Sequence, residues 1–205
     1  ASGNKLHKTY DIKPASVGLP SDSAAIAWGK HIATTRGCQD CHGNNLGGTT
    51  FIDDPMLGQV IAPNLTAGEG GISSEFSNKD WVKAIRHGVN RQNKGLLLMP
   101  SEEYYHLSNQ DLAAMIAYLK QLPKVDNQLG ETSLRPLGRF LVMQGELPIK
   151  AEKINHNQEH PGAPPKGATK AYGAYLGVNC QGCHGKNYAG QKIPGAPPTW
   201  PKSTN

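Results

Sequence analysis

The segment Cys38–His42 reads CQDCH, and the segment Cys180–His184 reads CQGCH. These two pentapeptides contain all four cysteines of the 205-residue chain. The pattern Cys-x-x-Cys-His is the attachment signature of c-type haem. Two residues between the thiols wind about one helical turn, so both sulfurs can reach the same edge of one porphyrin. The imidazole that follows then projects toward the iron as its proximal ligand.

Other uses of paired cysteines fit less well. Two Cys-x-x-Cys pairs can build a four-cysteine zinc site, but zinc does not require a histidine after each pair. A thioredoxin-like motif needs a surrounding βαβ pattern, and structural disulfides explain neither the spacing nor its duplication. The motif pair therefore predicts two covalent haems. The predicted attachment and ligating residues are Cys38, Cys41, His42, Cys180, Cys183 and His184.

The composition suits a loop-rich chain whose interior is filled by a large apolar group. Hydrophobic residues make up 37% of the chain, against 24 glycines and 15 prolines, and the mean hydropathy is −0.51. The net charge is +5, but no two Lys or Arg residues are adjacent, which argues against a nucleic-acid-binding arm. The sequence shows no 18-residue apolar stretch and no signal-peptide pattern. Its opening, ASGNKLHKTY, looks like a mature N-terminus or a trimmed chain, which leaves membrane association through a lost anchor or a partner open.

Local capping signals predict three helices around the first motif. Ser21–Ser23 provides an N-cap for an amphipathic helix that leads to the motif. Ser77–Asp80 has capping-box spacing, and Gly88 suits the end of the short helix that follows. Ser108 opens the most regular helix, which Pro123 stops.

The chain divides into four parts. Residues 43–76 are read as loop, and residues 136–144 as a short helix. The segments 171–176 and 180–190 repeat the patterns of residues 27–32 and 38–48. The predicted parts are an extended arm 1–20, a first domain 21–123, a connector 124–167 and the start of a second, truncated domain 168–205.

Residues 21–123 resemble the class I cytochromes c, and among them the multihaem cytochromes that accept electrons from membrane-bound dehydrogenases. The matches include the Gly29 helix, the first motif, residues 62–66, the segment 80–88 and Met99–Pro100. The resemblance implies an all-α fold with long loops, in which the first and last helices cross beside the haem. Gly29 would meet Tyr118 at that crossing.

Four methionines are candidates for the sixth ligand of the first haem. Met115 lies on a regular apolar helix face, which favours packing, and Met56 lies in a polar loop. Met143 falls in the connector. Met99 precedes Pro100 between two helices and falls at the family position, so it is the predicted ligand.

Trp81 and Arg86 are weaker cofactor-binding candidates. The resemblance places their helix near the haem edge, where an indole N–H or a guanidinium can hold a propionate. A packed tryptophan and a solvated arginine explain the two residues equally well.

The second haem has no repeat-type methionine in this sequence. Met99 follows His42 by 57 residues, and the same offset from His184 lies beyond position 205. Three alternatives stay open: a fragment whose lost part carries the ligand, which is favoured; a substitute such as Met143 or His160; and water or an open position.

These features predict a dihaem one-electron carrier in a periplasmic chain. Its expected partners are a dehydrogenase as donor and an oxidase or another cytochrome as acceptor. Export is expected because this family attaches its haem outside the cytoplasm. The alternatives are a dihaem peroxidase with an open site at the second haem and a haem sensor, and ligand-binding spectra separate all three.

Overall fold

A computed structural model describes residues 2–160, 162–193 and 199–204. The predicted arm, connector and second repeat therefore each include positions outside the described residues: 1, 161, 194–198 and 205. Within the described ranges, no helix is long and apolar enough to cross a membrane. The helices are α1 Ser2–Leu6, α2 Ser23–Thr35, α3 Cys38–His42, α4 Asn78–His87, α5 Ser101–Tyr104, α6 Asn109–Leu119, α7 Pro136–Gln144, α8 Lys170–Gly177 and α9 Gln181–His184, with 3-10 turns at Lys150–Lys153 and Val178–Cys180.

Helices α2 and α6 cross at close range. The Asp22 side chain caps α2 by accepting the N–H of Ala25 at 2.8 Å. At the crossing, a Cβ added to Gly29 would overlap the backbone carbonyl of Ala114. The predicted close crossing is confirmed, but its partner is Ala114 rather than Tyr118, which lies one turn further along α6.

Helix α4 begins and ends where its capping signals predict. The Ser77 hydroxyl accepts the backbone N–H of Asp80, and the Asp80 carboxylate accepts the N–H of Ser77, which completes the capping box. Gly88 ends the helix in the left-handed region, with φ of 64°. The main core lies between α2, α4 and α6 and includes Ile32, Trp81, Ile85, Leu112, Met115, Ile116 and Leu119.

A small antiparallel sheet departs from the expected all-α fold. Its strands are β1 Thr49–Asp54, β2 Gly58–Ala62 and β3 Ser133–Leu134, in the order β1-β2-β3. The β1–β2 hairpin lies inside the segment that was expected to be loop, and the Asp54 carboxylate closes its turn by accepting two backbone N–H groups. Both strands contain β-branched residues. A bulge between Thr50 and Ile52 interrupts the alternation of apolar and polar side chains by which a strand is recognised in a sequence.

The N-terminal arm and the connector pack on the first domain. Residues 2–6 form α1 rather than extended chain, and α1 packs against α7. The short helix expected at 136–144 is confirmed as α7. These segments build a second core against the end of α4, made of Ile12, Val89, Val142, Ile149 and Ala151. The connector therefore contributes to the first domain's packing as well as linking the two motifs.

Candidate functional site

The first Cys-x-x-Cys-His motif faces a cavity of about 440 Å³. This volume lies in the range of about 300–1,000 Å³ that is usual for small-molecule and cofactor sites. Cys38, Cys41 and His42 lie on the cavity wall together with Met99 and Trp81. Most of the remaining lining is apolar and includes Val60, Leu65, Ile72, Phe76, Ile85, Leu97, Met115 and Leu119. The cavity therefore suits a large apolar group bound through the motif.

His42 is held in a single orientation. It ends α3 and is only 9% exposed. Its Nδ1 lies 2.8 Å from the carbonyl oxygen of Pro63, and because a carbonyl only accepts, Nδ1 carries the proton. Burial lowers the pKa of His42, while the Pro63 carbonyl partly offsets that effect. The imidazole is therefore neutral at pH 7, with the Nε2 lone pair available to a metal.

Asn64 fixes the loop that supplies this carbonyl. Its Oδ1 accepts the backbone N–H of Thr66 at 2.9 Å, and its Nδ2 donates to the carbonyl of Val125 at 2.7 Å. Asn64 is 1% exposed, so these bonds lie in the interior. Pro63 and Asn64 were identified in the sequence only as part of a family match. Asn–x–Thr in a glycine-rich loop is the signal for this Asx-type turn.

The two cysteines of the first motif are partly buried thiols. Burial and the neighbouring Cys41 raise the pKa of Cys38 to about 12, and burial also raises the pKa of Cys41. Thiols with a raised pKa stay protonated at neutral pH, whereas metal ligation requires the thiolate. Within the described part of the chain, no three histidine, cysteine or acidic side chains converge on a metal position.

Met99 lies between two consecutive tight turns. Its N–H donates to the carbonyl of Leu97 at 2.7 Å, which closes a γ-turn at Leu98 with φ of 63°. Its own carbonyl accepts the N–H of Ser101 at 2.8 Å, which closes an inverse γ-turn at Pro100. The structure thus brings Met99 to the same cavity as His42.

The other methionines have different positions. Met56 is 63% exposed and Met143 is 44% exposed. Met115 is 1% exposed and packs in the core, as predicted, although it also touches the cavity.

Trp81 and Arg86 do not lie together. Trp81 is 2% exposed and lines the cavity, and its buried Nε1 has no hydrogen-bond partner among the described residues. A buried indole N–H of this kind suits a carboxylate acceptor in the cavity. The Arg86 guanidinium is absent from the cavity lining and donates to Leu107 and Asn109, at 2.8 Å each.

Arg86 does not line the cavity in this geometry, so its role in binding the cofactor stays a prediction. Trp81, Ala84 and Ile85 face the cavity, and residue 86 is rotated about 100° from residue 85 around α4. Arg91, which the sequence interpretation missed, lines the cavity instead. Its Nη1 lies 2.8 Å from the carboxylate of Glu75, which lines the cavity as well.

The second motif repeats the local geometry of the first. Gly43 and Gly185 both have φ of 80°, while Leu46 and Tyr188 have φ of 58° and 56°. At the next paired position, the backbone N–H of Gly48 donates to the carbonyl of His42 at 2.8 Å, and the N–H of Gly190 donates to the carbonyl of His184 at 2.9 Å. The repeat seen in the sequence is therefore also a repeat in backbone conformation.

The second histidine is oriented like the first but is less covered. Nδ1 of His184 lies 2.7 Å from the carbonyl of Thr204, as Nδ1 of His42 does from Pro63. Both Cys180 and Cys183 are exposed, whereas Cys38 and Cys41 are partly buried. The second motif therefore presents its two cysteines at the surface of the described structure, while His184 is half-buried.

Comparison with known proteins agrees with this site. The family model for cytochrome c matches residues 26–123. The cytochrome subunit of fructose dehydrogenase from Gluconobacter japonicus is 29% identical over 141 residues, which is 65% of this chain and 28% of that protein. The cytochrome c subunit of gluconate 2-dehydrogenase from Pantoea cypripedii is 30% identical over 103 residues, or 48% of this chain and 23% of its own length.

A third relative is also the cytochrome c subunit of a dehydrogenase. The cytochrome c subunit of the quinone alcohol dehydrogenase from Gluconobacter oxydans is 31% identical over 126 residues, covering 57% of this chain and 26% of that subunit. The chain thus spans about a quarter of the length of these relatives. The cytochrome c family binds haem c covalently, and the cavity, the motif and the oriented histidine fit that group. Residues 26–123 thus match the cytochrome c family, and the chain is similar to the cytochrome c subunits of three dehydrogenases.

Proposed function

We propose that this chain is a dihaem c-type cytochrome that carries single electrons. One observation carries the proposal: His42 and Met99 line the same cavity, beside Cys38 and Cys41. The Nδ1 of His42 is bonded to the Pro63 carbonyl, so its Nε2 is free to bind a metal. When bound, haem c supplies a one-electron ferric/ferrous couple. Two protein ligands leave no coordination position for a substrate, so this arrangement favours electron transfer over substrate chemistry.

The remaining residues of the cavity have supporting roles. The thioether bonds of Cys38 and Cys41 keep the cofactor from dissociating, and the Pro63 carbonyl holds the His42 ring in one tautomer. Trp81 and Arg91 provide N–H donors for the carboxylates of the cofactor. The soft sulfur of Met99 favours the ferrous state and raises the reduction potential.

The second haem is assigned to Cys180, Cys183 and His184. The matching backbone angles and the matching histidine hydrogen bond of the two motifs support this assignment. A six-coordinate second iron would make the chain a two-site electron carrier. An open position there would favour the peroxidase alternative.

The names of the relatives suggest the partners. Each is a cytochrome subunit of a dehydrogenase. We therefore propose a dehydrogenase as electron donor and an oxidase or another cytochrome as acceptor, with the chain working in the periplasm. Fractionation of the native host tests the location, since finding the spectrally intact holoprotein only in the cytosol would contradict it.

Haem counting and ligand-binding spectra test the function. The pyridine haemochrome assay should give two haems per chain. Double replacement of Cys38 and Cys41 by Ala, or of Cys180 and Cys183 by Ala, should each leave one. In the variant that keeps only the first haem, the spectrum of the reduced protein should not change with CO, and that of the oxidised protein should not change with peroxide. A rapid reaction with peroxide at the second haem would contradict the electron-carrier proposal and favour the peroxidase alternative.

A further inference from the structure

One short helix lies between the two Cys-x-x-Cys-His motifs. On one side of α5, the Tyr104 hydroxyl donates to the carbonyl of Arg36 at 2.9 Å, two residues before the first motif. On its other side, α5 packs against the 3-10 turn Val178–Cys180. A Cβ added to Gly182, inside the second motif, would overlap the carboxylate of Glu103. A single layer of protein therefore separates the motifs.

Tyr175, on α8, joins the second repeat to the first domain. Its hydroxyl donates to one carboxylate oxygen of Asp111 and accepts the backbone N–H of Ser108 at 3.0 Å. Asp111 is 7% exposed, and its other oxygen accepts the indole N–H of Trp28 at 2.6 Å. Hydrogen bonds to a buried charged group are the strong class, so this contact is well suited to fix α8 on the first domain.

The two repeats use different contacts on their first helices. In the first repeat, Gly29 allows the close crossing of α2 with α6. The equivalent Gly173 of α8 has no neighbouring atom within 4 Å of an added Cβ. The position equivalent to Tyr175 is His31, which stacks on Trp28 and makes no comparable bond to another element among the described residues. Helix α8 is therefore held by its tyrosine rather than by a helix crossing of its own.

We infer that Tyr175 is a positioning residue that holds the second motif against α5, so that electrons pass directly between the two haem sites of one chain. The inference rests on the proposed two-haem function. In the transfer, one iron goes from ferrous to ferric while the other goes from ferric to ferrous, and no bond or proton changes place. Such a transfer slows steeply as the sites separate, so it depends on the contact that keeps α8 docked.

The test compares Tyr175→Phe with Tyr172→Phe in the holoprotein. Tyr172 lies on the same helix, stacks on Tyr175, and its hydroxyl makes no hydrogen bond within the described ranges. Loss of the Tyr175 hydroxyl should raise the undocked population about tenfold. Rapid one-electron photoreduction should then show intramolecular transfer slowed in Tyr175→Phe and unchanged in Tyr172→Phe, with the haem spectra of both variants like the wild type.

Limited proteolysis provides a readout that does not depend on electron transfer. Trypsin should cleave after Lys166 and Lys170 faster in Tyr175→Phe than in Tyr172→Phe, because both lysines are already exposed and undocking of α8 frees the backbone around them to enter the protease. Equal transfer rates and equal cleavage rates for the two variants, in protein carrying two haems, would overturn the inference alone. A holoprotein with one haem per chain would overturn the proposed function and the inference with it.

Discussion

Met99 is held by backbone geometry that few residues adopt. The φ of 63° at Leu98 places a bulky side chain in the left-handed region, which costs roughly 1 kcal/mol or more. The residues on either side hold the turn in place, since Leu97 packs against the second core and Met99 against the main core. The strained turn and the following inverse turn direct residue 99 to the site.

Replacing Met99 by Ala should remove the sixth ligand of the first haem. The ferric protein should lose its weak long-wavelength sulfur-to-iron absorption band, and the midpoint potential of that haem should fall by more than about 59 mV, a tenfold change in the equilibrium. Met56→Ala is the control, since Met56 is 63% exposed. A band that persists in Met99→Ala would show that another residue is the ligand.

Arg91 and Glu75 should shift the potential of the first haem in opposite directions. A cation beside the cavity favours the less positive ferrous state, and an anion favours the ferric state. Arg91→Gln should therefore lower the midpoint potential and Glu75→Gln should raise it. Each shift should be up to about 59 mV, because both side chains are partly solvated.

Redox titration measures both shifts. Arg139→Gln removes an equal charge from an exposed position on α7 outside the cavity lining, and it should leave the potential nearly unchanged. Shifts of the same sign in Arg91→Gln and Glu75→Gln would contradict the placement of these two charges.

At the scale of elements, the packing of α2 on α6 depends on one missing side chain. Because a Cβ at Gly29 would overlap the backbone of Ala114, the helices must separate to accept alanine. The same substitution at Gly173 meets no neighbour, although that glycine occupies the equivalent position of the repeat. The two glycines therefore form a matched pair for experiment.

Gly29→Ala should destabilise the first domain. Overpacking costs about 1–3 kcal/mol, and the better helix propensity of alanine recovers no more than about 1 kcal/mol. Gly173→Ala should be neutral or stabilise α8 by about 0.4–1 kcal/mol. Thermal and denaturant unfolding of the two holoproteins checks the difference, and equal stabilities would contradict the close crossing.

At the scale of the whole molecule, a histidine pair joins the connector to the first domain. Nδ1 of His87, at the end of α4, lies 3.0 Å from Nδ1 of His156 in the connector. Nε2 of His156 lies 3.0 Å from the carbonyl of Ala151, so Nε2 carries its proton and Nδ1 accepts from His87. This arrangement requires His156 to be neutral, since a protonated His156 would place two N–H groups against each other. Burial disfavours the charged form of His87 as well.

Stability should therefore fall as the pH decreases. Burial lowers the pKa of His87 to about 4, with His156, Arg86 and His160 adding to the effect, and burial likewise lowers the pKa of His160 to about 4. The unfolded chain, with histidine pKa near 6.5, binds more protons between these values. The stabilisation is thus complete above pH 6.5 and is lost as the pH falls toward 4.

Denaturant unfolding at a series of pH values measures this effect. The free energy of unfolding should be lower at pH 5 than at pH 7.5, with about 1–2 kcal/mol of the loss due to His87. His87→Gln should remove that part of the pH dependence, whereas His7→Gln, at an exposed position, should retain it. A pH profile that is the same in His87→Gln and the wild type would show that the pair is not coupled to folding.

The sequence alone determined the parts of this protein that depend on near neighbours in the chain. Cys38–His42 and Cys180–His184 identify themselves by spacing, and the caps at Asp22, Ser77 and Ser108 act within three residues. The caps are hydrogen bonds between near neighbours, and the motif spacing is set by the covalent attachment of the cofactor. Both can therefore be predicted from the sequence without knowledge of the fold. The glycine at 29 likewise indicated a close crossing before its partner was known.

Only the tertiary structure decided which distant groups meet. Arg86 and Arg91 look alike in the sequence, but the phase of α4 turns Arg86 toward Leu107, while the loop after the helix brings Arg91 to the cavity. The hairpin beside the site has a bulge that breaks the alternation of its side chains between the two faces. The third strand of the sheet comes from the connector, 75 residues further along the chain. Contacts such as Tyr175 with Asp111 join residues 64 positions apart, and only long-range packing brings such residues together.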